Sequence, residues 1–258
     1  MVTTMDEATK DLLDLSTIQP EPLWLLGEGQ FNAEGWIPAR PEVEYCLGWD
    51  IGQKVDPSAL ALVRRSRTPI PPPEGIGSDC KQLLGPNTYT VLGLERLPLG
   101  MDYVVQCGVV ANRLAYARAR AGRAGVQLVA DITGPGLAVG NILTHHGLDH
   151  LAIVITGGRK DDRSRGNLWH IAKQNIASRL SAEFHQKTLH ILPTLREAPV
   201  LADEIANFQA TVNEQTSYVS YGARSGRHDD LVLALGCALV YLAPNPAGGE
   251  WQTETLNL

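Results

Sequence analysis

Three aspartates stand where a carboxylate is costly unless something answers its charge. Asp50 ends the apolar run EYCLGWDIG, Asp131 closes VQLVAD, and Asp230 is the second acid of His228-Asp229-Asp230, just ahead of LVLALGCALVYLA. An ionised group in such a run must be paired, solvated or bound to a metal. Around Asp50, Cys46 and Gly48 share its side of a strand, so two small neighbours leave room in front of it. Asp131 is followed by Thr133, Gly134 and Gly136. The adjacent acids Asp229 and Asp230 have a plain structural reading as well, because acids in a first helical turn favour the helix dipole and cap it. Taken together, three or four carboxylates without a cysteine or histidine set select a hard cation, Mg²⁺ or Mn²⁺. Two such ions about 4 Å apart orient and deprotonate a water and neutralise the leaving oxygen of a phosphodiester. Asp50 is expected to bridge them, with Asp131 on one ion and Asp230 on the other. The chain has no G-x-S-x-G elbow, so the nucleophile is not expected to be a serine.

These acids act together only if the chain converges on them. EYCLGWDIG and SALALVRRS read as two adjacent strands, able to pair antiparallel, and TYTVLGLERL as a third. The Pro- and Gly-rich stretch 69–86 reads as a surface loop. A helix is expected over about 101–121, with Val104, Val105, Val109, Leu114 and Tyr116 as its apolar face. VQLVADITGPG, a strand running into a Gly/Pro turn, a helix over 137–146 and a strand HLAIVITGG then form a strand–helix–strand unit, which implies parallel pairing through a right-handed crossover. Beyond it lie an amphipathic helix over 167–185, a short strand TLHILP, a helix over 194–209, and a hairpin in ATVNEQTSYVSYG. The last element, HDDLVLALGCALVYLA, is apolar nearly all round and reads as a buried helix, whose small residues Ala234, Cys237 and Ala238 would let Asp230 approach the sheet. The predicted architecture is one α/β domain: a three-strand antiparallel meander extended by parallel strands, helices on both faces, and a late β-hairpin. Residues 1–43 read as an extended leader or linker, 44–243 as the domain and 244–258 as a tail.

Composition narrows the class further. Hydrophobic residues at 44% and charged residues at 19% are ordinary for a globular chain. No apolar run is long enough to span a bilayer, and the acidic N-terminus lacks the apolar core of a signal peptide. Cys46, Cys80, Cys107 and Cys237 are scattered without a C-x-x-C pair, which fits a reducing compartment and argues against structural zinc. A net charge of −6 argues against holding nucleic acid by the overall field. Arginines are nevertheless grouped, and Arg163, Arg165, Arg224 and Arg227 are the candidates for contact with phosphates, unless they are simply solvated surface.

The motifs resemble one known family. Gly48-W-D-I-G-Q-K-V-Asp56-P-S-A is similar to the opening strand motif of the nuclease domain of the tailed-bacteriophage terminase large subunit, Val129-A-D-I-T-G-P-Gly136 to its second metal strand, and Tyr221-G-A-R-S-G-R-His228-D-D-L-Val232 to its closing motif. Asn167-L-W-H-I-A-K-Q-N-I-A-S-R-Leu180 resembles the helix after that family's fifth strand. The order is right, across roughly residues 44–243. The resemblance implies an RNase H-like fold and a Mg²⁺- or Mn²⁺-dependent endonuclease that cuts concatemeric double-stranded viral DNA in the host cytoplasm during genome packaging. It implies metal ligation by Asp50, Asp131 and Asp230, with Asp229 beside them. Asp56 and His228 would act through water or from behind the ligands, although Asp56-Pro57-Ser58 also begins a turn on its own account. Lys173 would approach a phosphate, or is a solvated helix lysine. Such a subunit works with an ATPase motor, a portal and a small terminase subunit; this chain carries no G-x-x-x-x-G-K-[ST] motif, so the motor is expected on a separate or missing segment.

Two other readings share some of these residues. D50-I-G and D131-I-T-G also resemble the phosphate loops of actin-like sugar or acetate kinases, which need two lobes. A Holliday-junction resolvase would share the acids but is usually shorter after the fifth strand. A non-catalytic packaging module would keep the fold without needing all three acids.

Overall fold

The computed structural model describes residues 41–52, 54–70, 83–134, 137–213, 218–223 and 228–243, together with two short strands upstream. Those two, β1 (Gln30–Asn32) and β2 (Gly35–Ile37), pair antiparallel within the segment expected to be a leader. The last residues of that segment, from 41, are described and Glu42 and Val43 already belong to the main sheet; its remaining residues and the tail 244–258 lie outside the described residues.

The main sheet grows from β3 (Glu42–Asp50), the apolar run that ends in the first aspartate. It pairs antiparallel with β4 (Ala59–Ile70), and β4 with β5 (Leu83–Arg96), giving the expected meander. β6 (Gln127–Asp131) and β7 (His150–Thr156) extend the sheet in parallel on the other side of β3. Outside them lie β8 (Asp162–Arg165) and β9 (Leu168–Ala172), and β10 (Leu189–Ile191) closes the opposite edge against β5. The order across the eight strands is β10-β5-β4-β3-β6-β7-β9-β8.

Helices cover both faces. α1 (Tyr103–Ala121) and α2 (Leu137–His145) lie on the face lined by Tyr45, Leu47 and Trp49. On the other face α3 (Lys173–His185), α4 (Ala198–Asn207) and α5 (Asp230–Leu242) cover Cys46, Val63 and Val129. The alternation along β3 is what a strand buried on both sides requires. The expected hairpin is present as β11 (Phe208–Asn213) and β12 (Tyr218–Ala223). As the sequence predicts, α5 is buried almost all round. It lies so close to β3 that a Cβ at Gly48 would sit 2.1 Å from the Ala234 carbonyl oxygen and 2.9 Å from the Ala238 nitrogen. Only a residue without a side chain fits there. Among the described residues no helix is long and apolar enough to cross a membrane.

Three local expectations are corrected. The inward face of α1 carries Cys107, Val110, Leu114 and Ala117, while Val104, Val105 and Tyr116 face solvent. The buried side also holds Gln106 and Arg113, both satisfied by polar partners, so a purely apolar stripe misjudges the helix's phase. The helix expected over 167–185 begins only at Lys173. Leu-Trp-His-Ile-Ala before it is an aromatic, branched run that pairs with β7, and Asp161 ends it by accepting from the Ala172 backbone at 2.9 Å and the Asn175 amide at 2.8 Å. Finally, the stretch expected as a loop over 69–86 is strand at both ends, where Pro69 opposes Leu84 and Ile70 opposes Leu83; residues 71–82 lie outside the described residues.

Candidate metal centre

Asp50 and Asp131 are brought together by register alone. β3 and β6 run parallel with Cys46 opposite Gln127, and the ladder ends on Asp50 opposite Asp131. Residues opposite one another in a parallel pair project from the same face, and for these two it is the face that α5 covers. Asp131 is fixed by Thr133, whose backbone N–H reaches its Oδ1 at 2.9 Å and whose hydroxyl donates to the same oxygen. That hydroxyl accepts in turn from the Ile155 N–H at 2.7 Å, so β7 also holds the carboxylate's orientation.

Asp230 arrives from the other layer, in the first turn of α5, and is 2% exposed. Its Oδ2 is buried and accepts no hydrogen bond. The N-cap position before it is Asp229, but the Asp229 side chain does not cap. It pairs instead with Lys173, whose Nζ lies 2.9 Å from Oδ2 and 5.7 Å from the centre of the Phe208 ring. Two amides in the first turn of α5 are taken by a residue that carried no signal in the sequence. Oε2 of Glu204, on α4, accepts from Leu231 at 2.9 Å and from Val232 at 3.1 Å. A glutamate reaching across 27 residues leaves no local capping signature in sequence.

Asp56 and His228, 172 residues apart, meet at the rim: Nδ1 of His228 stands 3.2 Å from Asp56 Oδ1 and 3.7 Å from Asp230 Oδ2. Among the described residues, Asp56, His228 and Asp230 form the group whose ligand atoms all lie within 4.8 Å of one another. The family resemblance implies supporting roles for Asp56 and His228, and the geometry sets both beside Asp230. Asp56 is carried there by a turn folded tightly on itself, since a Cβ on Gly52 would lie 2.2 Å from the Asp56 carbonyl oxygen. Ser58 accepts from the Gly52 N–H at 2.9 Å and donates to Gln106 of α1 at 2.6 Å. The Gln106 amide donates to Gly52 and Met101 carbonyls at 3.0 and 2.8 Å, locking the turn to the helix.

The electrostatics are those of crowded acids. Burial raises the Asp50 carboxyl well above its ordinary value, and the charges of Asp131, Asp230 and Asp229 raise it further, against a lowering by Lys173. Burial raises Asp131, opposed by its Thr133 hydrogen bonds. Burial and then the charge of Asp56 push Asp230 up to about 6, and burial first, with Asp230's charge adding to it, pushes Glu204 to about 7. A carboxylate-rich cluster with mutual repulsion and a buried oxygen that accepts no hydrogen bond fits a divalent cation: Asp56, His228 and Asp230 offer two carboxylates and one imidazole nitrogen within reach of one another, and Asp50 and Asp131 could add hard oxygen ligands from the strand ends.

The candidate DNA-contact arginines are placed less uniformly. Arg163 lies 4.6 Å over the Trp169 ring and 3.6 Å from Asp161, half withdrawn from solvent. Arg165 is exposed on β8 and 3.6 Å from Asp162. Arg224 and Arg227 lie outside the described residues.

An antiparallel meander, two parallel strands continuing it on the far side of the first, and helices on both faces define an RNase H-like fold. Comparison with solved structures gives the same answer: the chain is similar to the large terminase nuclease from thermophilic phage G20c, with a TM-score of 0.50 and 19% identity over 90% of this chain and 97% of that one. No family model and no curated protein matches the sequence.

Proposed function

We propose that the chain is a divalent-metal-dependent endonuclease acting on double-stranded DNA, a terminase-type nuclease that cuts concatemeric viral DNA during genome packaging in the host cell. The observation that carries this is the register of β3 against β6, which ends both strands on an aspartate, under a helix whose first residue is a third acid, itself buried, with an oxygen that accepts no hydrogen bond. When bound, Mg²⁺ or Mn²⁺ would supply activation of water and charge neutralisation at the leaving oxygen. The protein's own part is positional. Thr133 fixes Asp131, the α5 packing on Gly48 sets the depth of Asp230, and the Ser58–Gln106 bonds hold the turn that carries Asp56. Apolar walls on both sides keep the carboxylates in a low-dielectric setting, where they attract a cation more strongly than in water. Arg163, Arg165, Arg224 and Arg227 are proposed to meet the DNA backbone. The likeness to the phage G20c terminase nuclease supports this reading through the fold. An ATPase motor, a portal and a small terminase subunit are the proposed partners.

The test is cleavage of supercoiled plasmid by the purified chain with Mn²⁺. Asp50→Asn is expected to slow it by about a thousandfold or more, because a ligand's share of several kcal/mol of charge stabilisation is lost. Cleavage unchanged in Asp50→Asn would remove the metal assignment.

A further inference from the structure

Glu204 is 4% exposed, lies on neither strand that bears the acids, and carries none of the motif signatures. Its position is nonetheless specific. One carboxylate oxygen accepts both of the leading amides of α5, at Leu231 and Val232, while the other, Oε1, is buried and accepts no hydrogen bond. Those amides immediately follow Asp230, whose own buried Oδ2 accepts no hydrogen bond and has His228 Nδ1 3.7 Å away. Asp229 occupies the cap position but has given its side chain to Lys173, so the start of this helix is held from α4. Two acids side by side at one helix end repel, and an arrangement that keeps both buried calls for a purpose.

We infer that Glu204 is the positioning residue for Asp230: by holding the first turn of α5 from outside, it sets the rotation at which that aspartate faces Asp50 and Asp131, while the packing on Gly48 sets its depth. The helix cannot supply this itself, because its local cap is engaged elsewhere. The inference rests on the metal-centre reading for its consequence, but the clasp itself is independent of it. Reach is what matters in the clasp. Glutamine at this position keeps an acceptor oxygen at the same distance, whereas aspartate keeps the charge and is one methylene short.

The experiment compares Glu204→Gln, Glu204→Asp and Glu204→Leu in the full chain by amide hydrogen exchange at Leu231 and Val232 and by Mn²⁺ titration. Exchange at both amides is expected to accelerate about tenfold or more in Glu204→Asp and Glu204→Leu, and to stay near that of the parent in Glu204→Gln. Mn²⁺ affinity should follow the same pattern, falling about 10- to 100-fold in the short and apolar variants. If Glu204→Leu does not fold, the Asp and Gln variants decide between reach and charge. The reverse pattern, with Glu204→Gln impaired and Glu204→Asp intact, would overturn the clasp. So would faster exchange in the short variants with Mn²⁺ affinity unchanged, since Glu204 would then serve the helix and not the site. A parent chain that binds no Mn²⁺ would sink the metal reading, while the exchange pattern would still decide the clasp.

Discussion

Charge is buried on both faces of the central sheet, and on opposite terms. On the α1 side, Glu95 and Arg113 form a closed pair: Nε of the arginine lies 2.8 Å from Oε2 and Nη2 lies 3.0 Å from Oε1, with side chains 3% and 6% exposed. Each carboxylate oxygen has its own N–H, in the bidentate geometry that best repays desolvation. On the α5 side, Asp50, Asp131 and Asp230 share one region, and among the described residues no arginine pairs with them as Arg113 does with Glu95; Lys173 is held by Asp229, His228 Nδ1 stands 3.7 Å from Asp230 Oδ2, and that oxygen accepts no hydrogen bond. The first arrangement is complete and gives nothing to a ligand. The second is less complete among the described residues, and its acids carry a repulsion that a divalent ion would relieve. Burial of charge does not by itself distinguish structure from function. What does is whether the protein has supplied the counter-charge.

The largest expected effect breaks the contrast from both sides. Arg113→Met leaves Glu95 buried and unpaired, and should cost about 3–5 kcal/mol of stability, a fall of about 10 °C in Tm or more. Asp50→Asn removes one charge from a repelling group and should raise Tm when metal is chelated, even as cleavage is lost. Thermal melts in EDTA check both signs. A lowered Tm in Asp50→Asn would mean that the acids are stabilised by something within the protein, and the contrast would fail.

A smaller effect sharpens the contrast through pH. Asp230 is pushed up to about 6 and Glu204 to about 7, both above their values in an unfolded chain. The folded protein therefore holds protons that the unfolded chain has already released, and this contribution to stability is full below about pH 4. It is lost as pH rises through about 6 and 7. Tm without metal should fall by several degrees across this interval, after which the contribution of these two groups is spent. Because a cation replaces the protons, the rise in Tm on adding Mn²⁺ should grow over the same interval. A metal-induced rise that shrinks from pH 5 to 7.5 would contradict the assignment of the acids as ligands.

Much of this contrast could be read in the sequence, and the missing part has a common cause. Asp50, Asp131 and Asp230 stood out because each interrupts or borders an apolar run, and small residues at Ala234, Cys237 and Ala238 announced a close helix, although Gly48 read only as room in front of Asp50. The meander followed from apolar strands close together in sequence, and the parallel extension from the strand–helix–strand alternation. What could not be read were residues whose role depends on a distant partner. Glu204 looks like a solvated acid on an amphipathic helix until Leu231 and Val232 are found beside it. Gln106 and Arg113 look like the polar side of α1 until Ser58 and Glu95 turn that side inward. The same blindness reversed the apparent face of Val104, Val105 and Tyr116. Local pattern records what a residue is; only the fold records what answers it.

Lys173 gives the smallest effect and the finest test. Its pair with Asp229 is partly open to solvent, so replacing it with methionine should cost about 1 kcal/mol or less. Its charge also lowers the carboxyls of Asp50 and Asp131, which makes it a partial counter-charge provided by the protein itself. A bound cation must share the acids' field with that ammonium. Removing it should therefore tighten Mn²⁺ binding by roughly fivefold, equivalent to about 1 kcal/mol, and the small loss of Tm in EDTA should be recovered when Mn²⁺ is added. Calorimetric titration of Lys173→Met distinguishes the cases. Tighter binding means that the lysine only stands in for the metal, and the cluster is open in the sense that the Glu95–Arg113 pair is closed. Weaker binding means that the ammonium holds Asp229, and through it the start of α5, in the shape the ion requires. Lys173 would then belong with Glu204 among the groups that position Asp230.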